Sequence, residues 1–517
     1  MLTRPARSVV LPALAVALPA LALYCLTLMP DVGFWDTAEF QTVGPVLGIA
    51  HPTGFPAYTL LAWLASVVFT PLGNDALRAN LLSAVLGAGA VALITATVAL
   101  LTRRWAIAVG VGAAVALSSE VWRISLHADP HALHLFLVAL LLLVLAVWSE
   151  RVSEDFGQGA DRWLIAGAIV FGVALGNHGL TFLLAPGIAL MLLVSAPSLL
   201  RRPRLVFTCA LALAATTVAL YLYLPIRSAM DPPLDYANPQ TWDGFRFLVF
   251  AEQFRGSFHY PPDPLAAISL AAGKSLAELG PIAVLALLGL VSAWSRRAGL
   301  VVLLLGWLIV GWLFALVYVN ADIGRYYIVP LVSVAVLGGL GADAVWDTLR
   351  PMLTGPRLRS VIAVTAVVLL LTPIAFVPLG RYAQVDESRD LSGRAWLEAM
   401  VEHLPANALV ISWWSYSTTL WYGQFAEGLR PDVTVIDDST REQQGLGSAF
   451  QVINDNLGRR PVYLIRLGSD LPNYANRYAL TIVPDIPGEP VYRVDGVRQS
   501  AQVQIGPVAE PIIPVWP

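Results

Sequence analysis

Apolar residues run in long blocks over the first 380 positions, most of them of the length a helix needs to cross a ~30 Å hydrocarbon layer. The blocks lie at 8–29, 78–101, 105–121, 131–148, 163–177, 179–196, 205–225, 276–294, 299–318, 326–346 and 358–379. A further apolar stretch at 54–72 opens with Pro52, Gly54 and Pro56. If that stretch stays at the surface or re-enters, the arginine clusters at 4/7, 103/104, 151/162, 201/202/204, 296/297 and 350/357/359 all fall on one side, as the positive-inside rule demands. If it crosses, the later clusters land outside. The pattern therefore predicts eleven crossings, a cytoplasmic N-terminus and an extracytoplasmic C-terminal region, in a multi-pass protein of the plasma (inner) membrane.

After Arg381 the period changes. Helical stretches at 391–404, 416–427 and 446–457 alternate with strand-like runs at 408–413, 433–437, 461–466, 478–483 and 490–494, which predicts a small α/β domain. The chain thus divides into a membrane domain at 1–380 and an extracytoplasmic α/β domain at 381–517, with the tail after Ser500 extended or disordered. The second part carries 11 Arg against 16 Asp plus Glu, so it is no polybasic membrane tether.

Composition agrees with the pattern: 57% of the 517 residues are hydrophobic and 13% charged, and mean hydropathy is +0.67. The net charge of −3 gives no reason to expect nucleic acid. Cys25 and Cys209 both fall inside apolar blocks, which excludes a disulfide framework or a cysteine metal site. Residues 8–29 are too long for a signal-peptide core, so they are expected to remain as a helix. The short arginine-rich loops carry no nucleotide-binding glycine pattern, which argues against an ATP-driven mechanism.

Polar chemistry collects on the predicted outer face. Asp31, Trp35, Asp36, Glu39 and His51 follow the first block directly, and carboxylates beside a membrane bundle are costly enough to need a purpose. Asp36 and Glu39 have the spacing of a helix capping box, a structural role compatible with a chemical one. His51 either orients Asp36 or caps the next helix. Most of the sixteen tryptophans read as interfacial anchors. Trp35 is the exception, since sugar faces stack on aromatic rings.

The run Trp35-Asp36-Thr37-Ala38-Glu39-Phe40, followed by Gly48-Ile49-Ala50-His51-Pro52-Thr53-Gly54-Phe55-Pro56, resembles the signature of a membrane family first catalogued as a domain of unknown function, which includes the transmembrane protein 260 protein O-mannosyltransferase. Gly176-Asn177-His178, Tyr221-Leu222-Tyr223-Leu224-Pro225-Ile226-Arg227, Pro232-Pro233-Leu234-Asp235-Tyr236, Asn238-Pro239-Gln240-Thr241 and Gly244-Phe245 extend the likeness over residues 10–260. Arg325-Tyr326-Tyr327 before Pro330 resembles, more weakly, a late outer loop of lipid-phosphate-sugar glycosyltransferases with the multi-spanning C-type fold. The chain departs from the family at His127-Ala128-Asp129-Pro130-His131 and His134, where an aspartate and a proline replace the usual glutamate context. That spacing also admits a divalent metal site, although histidines at such a boundary more often only hydrogen-bond.

The resemblance implies an α-helical C-type glycosyltransferase bundle that moves a mannose-like sugar, with inversion, from a polyprenyl-phosphate donor to a hydroxyl acceptor on protein or glycan. Such a transfer needs a base for the acceptor proton and a cation for the departing phosphate, but no acid. Asp36 is the expected base and Glu39 an acceptor-binding or supporting carboxylate. Arg325 is the leading phosphate ligand, with Arg123 and Arg227 as alternatives on the same side and a local pair with Asp322 as its structural reading. Trp35, His51, Asp129, Asn177, His178 and Tyr326 complete the expected substrate site. No metal ligand set is assigned, and membrane lipids are expected neighbours. A carrier of lipid-linked sugars would use the same bundle, but would favour ionisable residues deep in helices and an internal repeat, neither of which the sequence displays.

Overall fold

The computed structural model describes residues 4–154, 158–320, 322–352, 380–441 and 444–498, together with 355, 358 and 360. Among them, six helices are long and apolar enough to cross a membrane: Ser8–Leu26, Asp75–Thr102, Pro130–Val152, Pro203–Ser228, Pro281–Val317 and Ile323–Leu349. The expected count of eleven crossings is neither matched nor excluded by this set, which counts only helices of at least 18 residues among the described ones. Shorter apolar helices at Pro56–Val68, Trp105–Ala116 and Gly179–Ser195 occupy three of the predicted blocks, and Gln158–Leu175 takes a fourth. The block at 358–379 and the tail after Ser500 fall outside the described residues.

Two predicted blocks meet end to end. Pro281–Val317 is two helices that meet at a non-helical Arg297 (φ −142°, ψ 43°), so the chain breaks at the arginine pair that separates the predicted blocks. This run packs closely on Ile328–Leu349, because glycines face backbone on both sides: a Cβ on Gly289 would strike the Leu337 carbonyl, and one on Gly341 the Leu285 carbonyl. Pro56–Val68, at 13 residues, spans about 20 Å and is too short to cross. Its Leu64, Val67 and Val68 are exposed apolar side chains.

Beyond the bundle, five strands form one sheet in the order β2-β1-β3-β5-β4: β1 (Leu409–Ser412), β2 (Thr434–Asp437), β3 (Val462–Ile465), β4 (Tyr478–Ile482) and β5 (Val491–Val497). β1 runs parallel to β2 and β3, while β5 is antiparallel to β3 and β4. Both neighbours of β1 are parallel to it, which buries its whole Leu-Val-Ile-Ser run. The helix Ala449–Asn456 before β3 begins with a Ser448/Gln451 capping box.

The sheet region is stitched to the first loop of the bundle. Arg394 donates to Asp31 at 2.7 Å and also to Glu427, the Thr419 hydroxyl donates to the Gly33 carbonyl at 2.9 Å, and the Ala76 amide donates to the Tyr422 hydroxyl at 3.1 Å. These contacts bring strand β1 and the helix Trp414–Trp421 after it against the segment that holds Asp36.

Candidate active site

Helix Trp35–Val46 carries the first acidic pair. Its N-cap is Phe34, which supplies no side-chain cap, and Trp35 enters the helix at φ 57°. Asp36 is therefore already inside the first turn, and the capping-box reading is overturned: the N-cap lies at Phe34, two residues before Asp36. The carboxylate is free of the backbone and favourable to the helix N-terminus. At the other end Arg227 donates to the Leu47 carbonyl at 2.8 Å and to the Val46 carbonyl at 3.1 Å. Its guanidinium caps the helix C-terminus, a structural role beside the expected substrate-binding one.

Glu39 is buried, and both of its oxygens are committed to His51. One accepts the His51 amide at 2.7 Å and the other meets ring Nδ1 at 2.5 Å. The following helix has Phe55 as N-cap, so His51 caps nothing. Burial disfavours charge on His51, but Glu39 and Asp36 together outweigh it and push the ring up to about 9. Glu39 thus supports the loop rather than reaching for an acceptor. Asp36, Glu39 and His51 bring one ligand atom each within 4.8 Å of one another. They suit a divalent cation only once His51 gives up its proton.

Arg325, in the 3-10 turn Ile323–Tyr327, stands among three carboxylates. Nε lies 3.1 Å from Asp322 Oδ2, and Nη1 lies 3.6 Å from Asp129 Oδ2 and 3.7 Å from Asp36 Oδ2. Two of these three approaches exceed hydrogen-bond distance, so its donors are not all engaged. The local pair with Asp322 and the wider cluster coexist.

Asp129 Oδ1 accepts from the His131 amide at 2.7 Å and meets His131 Nδ1 at 2.8 Å. Burial opposes its charge, yet the His131 ring and Arg325 hold the carboxyl well below the usual range. The metal-like spacing dissolves into separate partnerships: His127 Nδ1 meets Glu387 at 2.9 Å, and His134 Nδ1 lies 3.4 Å from the Thr181 hydroxyl. The rings of His131, His178 and Tyr326 nonetheless meet, with centroids 4.7 Å apart for His131–His178 and 5.5 Å for His131–Tyr326. Asn177 donates to the Pro130 carbonyl at 3.0 Å, and His178 Nδ1 accepts from the Leu180 amide at 3.1 Å. Both side chains thereby fix the turn beside this cluster. The buried Asn177 Oδ1 and His131 Nε2 have no hydrogen-bond partner.

A small, partly open cavity lies beside the cluster. Leu180, Leu184, Val310 and Phe314 supply apolar wall, while Arg325, Tyr326 and His134 supply polar lining. Arg123 ends the short helix Ser119–Arg123 and makes no ion pair with these carboxylates, so of the three candidate arginines only Arg325 joins the site.

Two residues missed by the sequence reading complete the picture. Trp414 donates its indole N–H to Asp36 Oδ1 at 2.8 Å, and Trp413 packs edge-on against Trp35 with centroids 4.9 Å apart. Both had passed as interfacial anchors. The Trp-Trp pair directly after a predicted strand was the available signal, but nothing local ties it to a residue 378 positions away.

An apolar helical bundle, a docked α/β sheet and a carboxylate–arginine cluster next to an apolar cavity define a membrane protein of the C-type glycosyltransferase fold. The protein ArnT of Cupriavidus metallidurans, solved with undecaprenyl phosphate, covers 94% of this chain and is itself covered to 98%, at TM-score 0.60 and 14% identity. The oligosaccharyltransferase AglB of Archaeoglobus fulgidus, solved with an inhibitory peptide and a dolichol-phosphate, covers 94% of the chain at TM-score 0.55 and 14% identity, with 74% of AglB covered. Residues 36–200 match the family model described as the protein O-mannosyl-transferase TMEM260 N-terminal domain. The mouse protein O-mannosyl-transferase TMEM260 is 26% identical over 446 residues, and its Dictyostelium discoideum counterpart 22% over 462. Each match covers 80% of this chain but only 61% and 55% of the relatives' own length.

Proposed function

We propose that the protein transfers a mannose-like monosaccharide from a polyprenyl-phosphate donor to a serine or threonine hydroxyl of a protein, on the extracytoplasmic face of the plasma membrane. The observation that carries this reading is the placement of Arg325, which lines the apolar cavity and stands 3.7 Å from Asp36. A lipid phosphate needs those two features together: apolar wall for the chain and a fixed guanidinium for the head. The similarity to TMEM260 proteins, and the lipid phosphates held by ArnT and AglB, support the same reading.

In the reaction, the acceptor oxygen forms a bond to the anomeric carbon as the bond from that carbon to phosphate oxygen breaks. The phosphate leaves with the electron pair as polyprenyl phosphate, and the acceptor proton passes to Asp36. Arg325 stabilises the negative charge that grows on the phosphate, in surroundings poor in water, where fixed charges act strongly. Inversion at the anomeric carbon follows from a single displacement. A divalent cation bound by Asp36, Glu39 and His51 would add positive charge near the same phosphate.

The test is incubation of purified protein with polyprenyl-phosphate monosaccharides, with and without serine- or threonine-containing peptides. Turnover of a mannosyl donor that rises with peptide is expected. Turnover only with a lipid or glycan acceptor would reassign the acceptor, and binding without turnover would favour a carrier. For orientation, single cysteines at Gly73 and Ser388 should label from outside with an impermeant reagent while one at Arg202 should not.

A further inference from the structure

We infer that Trp414 is a positioning residue for Asp36, so that the C-terminal α/β region forms part of the catalytic site. The inference rests on the transfer reading above. Helix Trp414–Trp421 starts directly after β1 and packs on the helix that bears Asp36. It is held there by the Thr419 hydroxyl bond to the Gly33 carbonyl at 2.9 Å. The Trp414 ring is boxed by His51, Tyr236 and Trp421, with centroid distances of 5.8, 5.9 and 5.8 Å, so its N–H has a fixed direction. That N–H reaches Asp36 Oδ1 at 2.8 Å.

The chemistry follows from the donor type. An indole N–H donates and never accepts, so Oδ1 is held as an acceptor and cannot relay a proton to its partner. The other oxygen, Oδ2, is the one turned toward Arg325, 3.7 Å away. When the acceptor hydroxyl bonds to the anomeric carbon and the phosphate departs, the proton therefore goes to Oδ2. Without the indole the carboxylate can rotate about its terminal torsion, which is broad, and Oδ2 no longer keeps a fixed direction toward the acceptor proton.

The test uses the full chain and polyprenyl-phosphate mannose. Trp414→Phe keeps the ring contacts and removes only the donor. Its kcat should fall about ten- to a hundredfold, the scale of a hydrogen bond to a charged group, with donor KM, donor affinity and melting temperature held near wild type. A merely structural tryptophan would lower melting temperature and donor binding together. A wild-type kcat in Trp414→Phe overturns the inference and leaves the transferase reading intact. A second readout needs neither activity nor a folded Trp414 variant. In protein labelled with ¹⁵N-tryptophan, Asp36→Ala should move one indole N–H resonance upfield, and an unchanged set of indole resonances would also overturn the inference. If the wild type turns over no donor, the transfer reading fails while the indole spectrum still decides the contact.

Discussion

Charged side chains meet at both ends of the bundle, but they meet differently. At one end Arg202 holds Asp161 through parallel contacts of 2.8 and 2.5 Å, Arg297 donates to Glu150 at 2.8 Å, and Arg104 bridges Asp343 and Asp347. At the other, where Arg394 closes on Asp31 and Arg325 has Asp322 at 3.1 Å, Arg325 also stands 3.6 and 3.7 Å from Asp129 and Asp36 and closes on neither of these two. Closed pairs consume their own donors and tie helices together. Open ones keep donors for a visitor, and an apolar cavity lies beside them. Charge density alone would not have separated the two ends.

Arg325→Ala is expected to produce the largest break in this contrast. Donor affinity and turnover should fall together by about tenfold or more each, as measured by donor binding and initial rates, and Arg325→Lys should restore only part because it lacks the planar fork. Unchanged values for both would move the phosphate site elsewhere. Arg227→Ala comes next: it uncaps helix Trp35–Val46, so stability should drop by about 1 kcal/mol in a thermal melt, with turnover reduced several-fold rather than abolished.

The closed end should behave otherwise. Arg104→Ala is expected to lower stability by about 1 kcal/mol or less, with turnover per folded molecule unchanged. A matching loss of turnover would erase the distinction between the ends. The smallest effect concerns pH. Burial works against charge on His127, but Glu387 beside it pushes the ring up to about 9, above its ordinary 6.5. A raised histidine stabilises the fold fully below about 6.5 and loses that contribution as pH rises through about 9. The melting-temperature gap between wild type and Glu387→Gln should therefore narrow over that range, and a gap that widens would reverse the assignment.

What could be read in the sequence depended on how far apart the partners lie. Asp36, Glu39 and His51 sit within one short segment, and their proximity was legible there. Five strands were also legible, because their apolar runs are short and separated by helical periods. The choice among Arg123, Arg227 and Arg325 was not, since all three share a face and only distances show that Arg227 caps a helix. The capping reading failed because the N-cap lies at Phe34, two residues before Asp36. Helix ends were not legible, as at Trp105–Ala116, which is shorter than its apolar block, because hydropathy records composition and not where a helix stops. Trp414 was beyond reach, since its bond to Asp36 exists only after two distant regions dock.

The central claim is that the open end binds a lipid-phosphate sugar and uses Asp36 as the base. Donor binding and single-turnover transfer from polyprenyl-phosphate mannose, measured side by side on wild type and Asp36→Asn, test it most directly. The account predicts equal donor binding, transfer by the wild type, and transfer lowered at least about a thousandfold in Asp36→Asn. Transfer by Asp36→Asn at the wild-type rate, or no binding of the donor by either protein, would contradict it.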